Sequence, residues 1–204
     1  MCTEKTLWEK AVEFHGHVCP GLAMGYRAAC EAMERLAQER AEDDQIVAMV
    51  ETDACGVDAI QVITGCTFGK GNLIFRDLGK QVFLFGVRGK DEGLRVAMKY
   101  GALKKFEPEG WSELRKKYFN GKTDEEEKKR FRTLHEQLAE KILTVPLEEI
   151  METKRVTIEL PPKAKIYETR QCFFCGEGVM EPRVRVREGK FACLECAIMV
   201  KRSK

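Results

Sequence analysis

Apolar residues fall into distinct spacings along this chain, and each spacing predicts an element. Leu7, Trp8, Ala11, Val12 and Phe14 recur at helical intervals, predicting a short amphipathic helix over residues 3–14. Pro20 suits a first helical turn and opens a second helix from Gly21 to about Ala37. That helix carries Ala23, Met24, Ala28, Ala29, Ala32, Met33 and Leu36, a face of mostly small residues that admits close packing, with Cys30 read as core. Ile46–Val50 is a continuous apolar run, the pattern of a strand covered on both faces. A helix then runs from Asp53 as N-cap to Gly65 as terminating glycine. Short turns separate strands around 72–77, 81–87 and 94–99, which read as an antiparallel meander. The order implies an α+β domain, a mixed sheet with helices packed on it.

From about 108 to 150 the composition turns to charge with sparse apolar anchors, a helical excursion. Thr123-Asp-Glu-Glu126 matches a capping box, and Phe131, Leu134, Leu138 and Ile142 then mark one buried stripe. His135 stands beside that stripe in a charged setting and reads as a surface or internally satisfied histidine. Lys128-Lys129-Arg130 reads as a solvated face. Arg155–Leu160 alternates like a last strand before Pro161-Pro162 breaks it. The implied organisation is a domain over 1–160, a linker over 161–167 and a separate module over 168–204.

Charge and composition narrow the function classes. Among 204 residues, 35 basic and 33 acidic side chains leave a net +2, which gives no general reason to expect nucleic acid as a partner. Apolar runs such as Val82–Val87 are far shorter than the roughly 20 residues of a membrane span, and the N-terminus has no apolar signal region, so the expected location is cytoplasmic. Gly65–Asn72 resembles a phosphate-cradling loop superficially. No Ser or Thr follows Lys70 and a strand comes next, so it reads as a glycine-rich turn.

Nine cysteines without a secretion signal favour metal or thiol chemistry over disulfides. Cys172-Phe-Phe-Cys175 and Cys193-Leu-Glu-Cys196, separated by residues 176–192, have the spacing of a four-thiolate zinc site. Val184 and Val186 alternate with arginines before Glu188-Gly189, a hairpin, and Ala197–Lys201 reads as a helix. This is a treble-clef-like or zinc-ribbon-like module. It is too small to bury much core, so a structural zinc would supply folding free energy.

A second cluster lies near the N-terminus. His15, His17 and Cys19 occur within five residues, and Cys19 immediately precedes a helix, where N–H groups and the helix dipole favour a thiolate. Cys55 also begins a helix, so the two loops are expected to converge on one polar site.

The motifs His15-Gly-His17-x-Cys19-Pro-Gly21 with Gly25 and Arg27, Asp53-x-Cys55-x-x-Asp58-Ala-Ile-Gln61, and Thr64-Gly-Cys66-Thr67-x-Gly69 resemble the E-subunit family of formylmethanofuran dehydrogenase (FmdE) over about residues 10–100. The resemblance implies a core similar to the C-terminal domain of glyceraldehyde-3-phosphate dehydrogenase, and a tendency to form homodimers. It also implies a setting near a molybdenum or tungsten redox enzyme complex of one-carbon metabolism, and the C-terminal zinc module agrees with it. It carries over His17, Cys19 and Cys55 as metal-binding or catalytic residues, with His15 orienting and Asp58 accepting a hydrogen bond behind the ligands. The resulting expectation is a metal-binding protein with a structural zinc and an open N-terminal site for a second zinc or other transition metal. Two alternatives stand beside it: a cysteine-nucleophile enzyme without that metal, and a non-catalytic adaptor docking on a redox complex.

Overall fold

Ile46–Val50 forms β1, and all five of its residues are buried in the computed structural model, which describes residues 5–198. Around β1 a five-stranded sheet is ordered β2-β1-β3-β4-β5, with β2 at Leu73–Phe75, β3 at Val82–Val87, β4 at Glu92–Met98 and β5 at Met151–Thr157. β1 and β2 are parallel, with Ala48 opposite Leu73, and the remaining neighbours are antiparallel. The sheet is therefore mixed. The meander expected over 72–99 is corrected: β1 separates β2 from β3, and the meander is β3-β4-β5. A parallel pair needs a crossover, which the helix α3 (Gly56–Thr64) supplies between β1 and β2.

The two opening helices are α1 (Leu7–His15) and α2 (Pro20–Leu36). Thr6 and Glu9 form a reciprocal capping box that starts α1. The small face of α2 is buried, with Ala23, Ala28, Ala29 and Ala32 all closed to solvent against the sheet and its neighbours. The N-cap of α3 is Cys55 rather than the expected Asp53, which is exposed two residues earlier. Strand β5 begins four residues before the expected Arg155 and ends at Thr157, beyond which the chain folds across the sheet. Ile158 and Leu160 then sit so close over Gly93 and Gly86 that an added Cβ at either would lie 2.7 Å from their side chains.

The charged excursion forms α4 (Trp111–Phe119), α5 (Glu125–Thr144) and the single turn α6 (Leu147–Ile150). Asp124, not Thr123, caps α5 by accepting from the Glu127 N–H, shifting the expected box by one residue. The stripe of Phe131, Leu138 and Ile142 is buried, with Leu134 packed beside it. Arg27 of α2 donates to the carbonyls of Ile142 and Val145 at 2.7 and 2.9 Å, tying the end of α5 to α2.

By its internal contacts the chain divides into two units, Met1–Lys163 and Ala164–Lys204. The second contains the hairpin β6–β7 (Thr169–Gln171, Gly178–Met180), the hairpin β8–β9 (Arg185–Arg187, Lys190–Ala192) and the short α7 (Leu194–Ile198). Glu188 and Gly189 turn β8 into β9 with φ of 52° and 71°, the paired positive values of a twist-matched two-residue turn. The last helix begins at Leu194, three residues before the expected Ala197, and Met199–Lys201 of that expectation lie outside the described residues.

Candidate metal centres

In the C-terminal unit the four sulfurs of Cys172, Cys175, Cys193 and Cys196 all lie within 4.8 Å of one another. Two sulfurs on one tetrahedral zinc, each about 2.3 Å from it, stand about 3.8 Å apart. Cys175 and Cys193 are 4.0 Å apart. Backbone N–H groups of Cys175 and Cys193 hold the Cys172 thiol down to about 6. The neighbouring Cys193 sulfur, with burial, pushes Cys196 up to about 12. Four sulfurs this close cannot all ionise without a cation among them, and all four are positioned as ligands for one.

The N-terminal cluster is built by backbone contact between α2 and α3. An added Cβ on Gly25 would lie 2.0 Å from the Gly56 carbonyl oxygen, and one on Gly56 would lie 3.0 Å from the Gly21 carbonyl oxygen. Only glycines allow helices to cross this closely. The crossing brings the two helix starts together: the Cβ position of Gly21 is 3.7 Å from the Cys55 sulfur and 3.8 Å from that of Cys19. Cys19 is the N-cap of α2, buried, with its sulfur accepting from the Leu22 N–H at 3.3 Å. Cys55 makes no side-chain cap bond.

Gly16, at φ 91°, ends α1 and turns the chain so that the rings of His15 and His17 lie 4.4 Å apart. His15 Nδ1 is 2.7 Å from Asp58 Oδ2, and its Nε2 is 3.7 Å from the Cys19 sulfur. A sulfur and an imidazole nitrogen sharing a tetrahedral zinc would be about 3.6 Å apart, given bonds of roughly 2.3 and 2.0–2.1 Å. Ligand atoms of His15, His17 and Cys19 lie within 4.8 Å of one another, while Cys55 stands beside Cys19 and outside this tighter group. Burial pushes the Cys19 thiol up to about 11, which the Leu22 N–H only partly offsets. The helix-start setting that suggested an activated thiolate is thus outweighed by desolvation.

Above these residues lies a cavity of about 740 Å³, reached by His17, Cys19 and Cys55 on one side and by α4 and α5 on the other. Trp111, Arg115, Phe131 and His135 line that second side. His135 is half-buried rather than a surface residue, stacked near-parallel to Trp111 at 15° and accepting from its indole N–H at 3.4 Å. Burial, with His17 and Arg115 nearby, pushes its pKa down to about 4. This wall was not expected from the sequence. Trp111, Arg115 and Phe119 on α4, with Phe131 and His135 on α5, recur at i, i+4 spacing, which was its available signal.

The family described as "FmdE, Molybdenum formylmethanofuran dehydrogenase operon" matches residues 14–152, more than half of the chain and spanning both the His-Cys cluster and the cavity wall. The chain belongs to the FmdE family. A "Probable S-adenosyl-L-methionine-binding protein" of Archaeoglobus fulgidus is 37% identical over 194 residues, covering 92% of this chain. The chain spans 51% of that protein's length. A solved FmdE-like protein from Syntrophus aciditrophicus, similar to the E-subunit of a tungsten formylmethanofuran dehydrogenase, aligns with a TM-score of 0.56 and 24% identity, covering 95% of this chain and 96% of that one. That likeness shows the fold. Among the described residues no helix is long and apolar enough to cross a membrane.

Proposed function

We propose that this FmdE-family chain is a metal-binding protein with two unlike centres. One is a structural zinc held by Cys172, Cys175, Cys193 and Cys196 in a closed thiolate shell, in a zinc-binding module over 168–204 joined by a linker over 161–167. The other is an open centre held by His15, His17 and Cys19. The observation that carries the second centre is the His15 geometry: Asp58 engages Nδ1, which leaves Nε2 directed at the Cys19 sulfur. A carboxylate behind a histidine fixes the ring and its tautomer and makes it a better ligand. This puts His15 among the proposed ligands, where the sequence had given it an orienting role. Cys55 becomes a neighbour facing the cavity that can enter the shell.

A zinc or other divalent transition metal at this position would supply Lewis acidity at the cavity floor. The protein residues bind and orient: Asp58 holds His15, and the Leu22 N–H holds Cys19. A free nucleophile at Cys19 is the weaker reading, because a buried thiol pushed up to about 11 carries little thiolate near neutral pH; the alternative of a nucleophile at Cys55, which faces the cavity, stands beside the metal reading.

The family's description supports a setting in formylmethanofuran-linked one-carbon metabolism, and we extend the proposal to a cytoplasmic homodimer that associates with a molybdenum or tungsten redox enzyme complex. The ligand named for the Archaeoglobus protein is not carried over, since this chain accounts for half of that protein. Metal analysis of protein purified without added metal tests the reading. Two equivalents, falling to one in a folded His17→Ala/Cys19→Ala variant, is the expected result; one equivalent in both proteins overturns the N-terminal centre.

A further inference from the structure

We infer that the cavity above Cys19 binds a planar aromatic anion, its ring stacked against the aromatic wall of α4 and α5 and its carboxylate or phosphate held by Arg115. The inference rests on the reading of the His-Cys cluster as the functional site and names the class of small molecule presented to it.

Three observations point to a ring. Trp111 and His135 are near-parallel with centroids 6.1 Å apart, and Phe131 approaches His135 at 4.8 Å. Tyr118 stacks on Phe131 at 4.3 Å, so the rings form one continuous stack in which Trp111 and Phe131 are largely buried and His135, Tyr118 and Phe119 present more of their surface. Phe119, at the same cavity, is 68% exposed, a large apolar ring left in water unless something covers it. Such a surface favours a flat π-system over a flexible aliphatic chain, and at about 740 Å³ the space is within the range of small-molecule sites.

The charge follows from Arg115. Its guanidinium lies over the rings of Trp111 and Phe119 at 5.5 and 5.3 Å, which fixes its position. Among the described residues no carboxylate lies within ion-pair distance of it, so its planar set of donors is free for a bidentate acceptor. Glu107, at the same cavity, accepts from the Ser112 hydroxyl at 2.8 Å and makes no ion pair with Arg115 among the described residues. Arg132 and Glu136 also line the opening. Burial, with Arg115 nearby, keeps His135 neutral. His135, with Nδ1 accepting from Trp111, carries its proton on Nε2 and is a neutral donor.

Calorimetry on the full chain, using paired probes that share a ring and differ in charge, tests this. The pairs are AMP against adenosine and 2-naphthoate against 2-naphthamide, with ribose 5-phosphate as the anion lacking an aromatic ring. Each aromatic anion is expected to bind at least about tenfold more tightly than its neutral partner, and ribose 5-phosphate more weakly than AMP. Arg115→Gln, at an exposed position, is expected to abolish the preference for the anion, bringing each anion to the affinity of its neutral partner. Trp8→Phe leaves Trp111 as the single tryptophan, and its fluorescence is expected to respond to AMP. Absence of binding by both aromatic anions at millimolar concentration overturns the proposal, as does an anion preference that survives Arg115→Gln. Equal affinity for ribose 5-phosphate and AMP removes the ring requirement and also overturns it. Zinc content measured on the same samples separates this outcome from failure of the metal reading, because Arg115→Gln leaves every proposed ligand in place.

Discussion

Replacing Gly25 by Ala probes the contact on which the N-terminal centre depends. The new Cβ would meet the Gly56 carbonyl oxygen at 2.0 Å and its C and Cα at 2.5 Å, all backbone atoms with no side-chain end to swing aside. Ordinary contact begins near 3.4 Å, so α2 and α3 must separate by about 1.4 Å. Overpacking of this kind costs about 1–3 kcal/mol, and a contact made only with backbone belongs at the upper end. Ala recovers about 1 kcal/mol of helix propensity over Gly, leaving a net loss of about 2 kcal/mol. For a unit of this size that is a fall in Tm of about 4–8 °C. The separation also moves Cys19 away from Cys55 and His15 away from its partners, so the second metal equivalent is expected to weaken or disappear while the four-cysteine centre keeps its own. Gly69→Ala is the control, since nothing lies within 4 Å of its added Cβ. Thermal melts with metal analysis on both variants decide the matter. A Gly25→Ala protein that melts at or above the parent and keeps two metals would show that the close helix crossing does not build the centre.

Asp58→Asn removes the carboxylate behind His15 and is expected to lower affinity at the N-terminal centre by about 10–100-fold with little change in fold, read by competition with a chromogenic chelator. His135 supplies a pH signature. With its folded pKa lowered to about 4 against an ordinary value near 6.5, the unfolded state binds the extra proton between these values, so stability is complete above about pH 6.5 and falls as pH drops towards 4. Melts of His135→Gln across that window should show a shallower slope than the parent, and an identical slope would assign the acid sensitivity elsewhere. In the C-terminal unit, a strong chelator or Cys193→Ser should abolish the ordered structure of residues 169–198 while the sheet of the first unit persists; hydrogen exchange resolves the two.

Much of this arrangement was legible in the residues because local rules and tertiary contacts agreed. Pro20 at a first turn, the alanine face of α2 and the all-apolar Ile46–Val50 each had one cheap structural solution, and each adopted it. The four-cysteine cluster followed from ligand spacing alone. What escaped was set by partners distant in sequence. Short β2 pairs with β1 across α3, a choice that turn signals between consecutive strands do not encode. Residues 111–135 look like a solvated excursion when charge is counted along the chain, yet Trp111, Phe131 and His135 turn to one side and close over Cys19. Arg27 belongs to the family motif, and its role in fastening that excursion to α2 is visible only once Ile142 and Val145 lie beside it.

The proposed N-terminal centre depends on His15, His17 and Cys19 holding a metal beside this cavity, which His17 and Cys19 line. Anomalous scattering settles that point: crystals of the native protein would be measured on both sides of the zinc edge, and of another transition-metal edge where fluorescence indicates one. Two anomalous peaks per chain are expected, one among the four C-terminal sulfurs and one about 2.3 Å from the Cys19 sulfur and about 2.0–2.1 Å from His15 Nε2. A single peak at the C-terminal cysteines, with His15 still held by Asp58 and water between His17 and Cys19, would contradict the second centre.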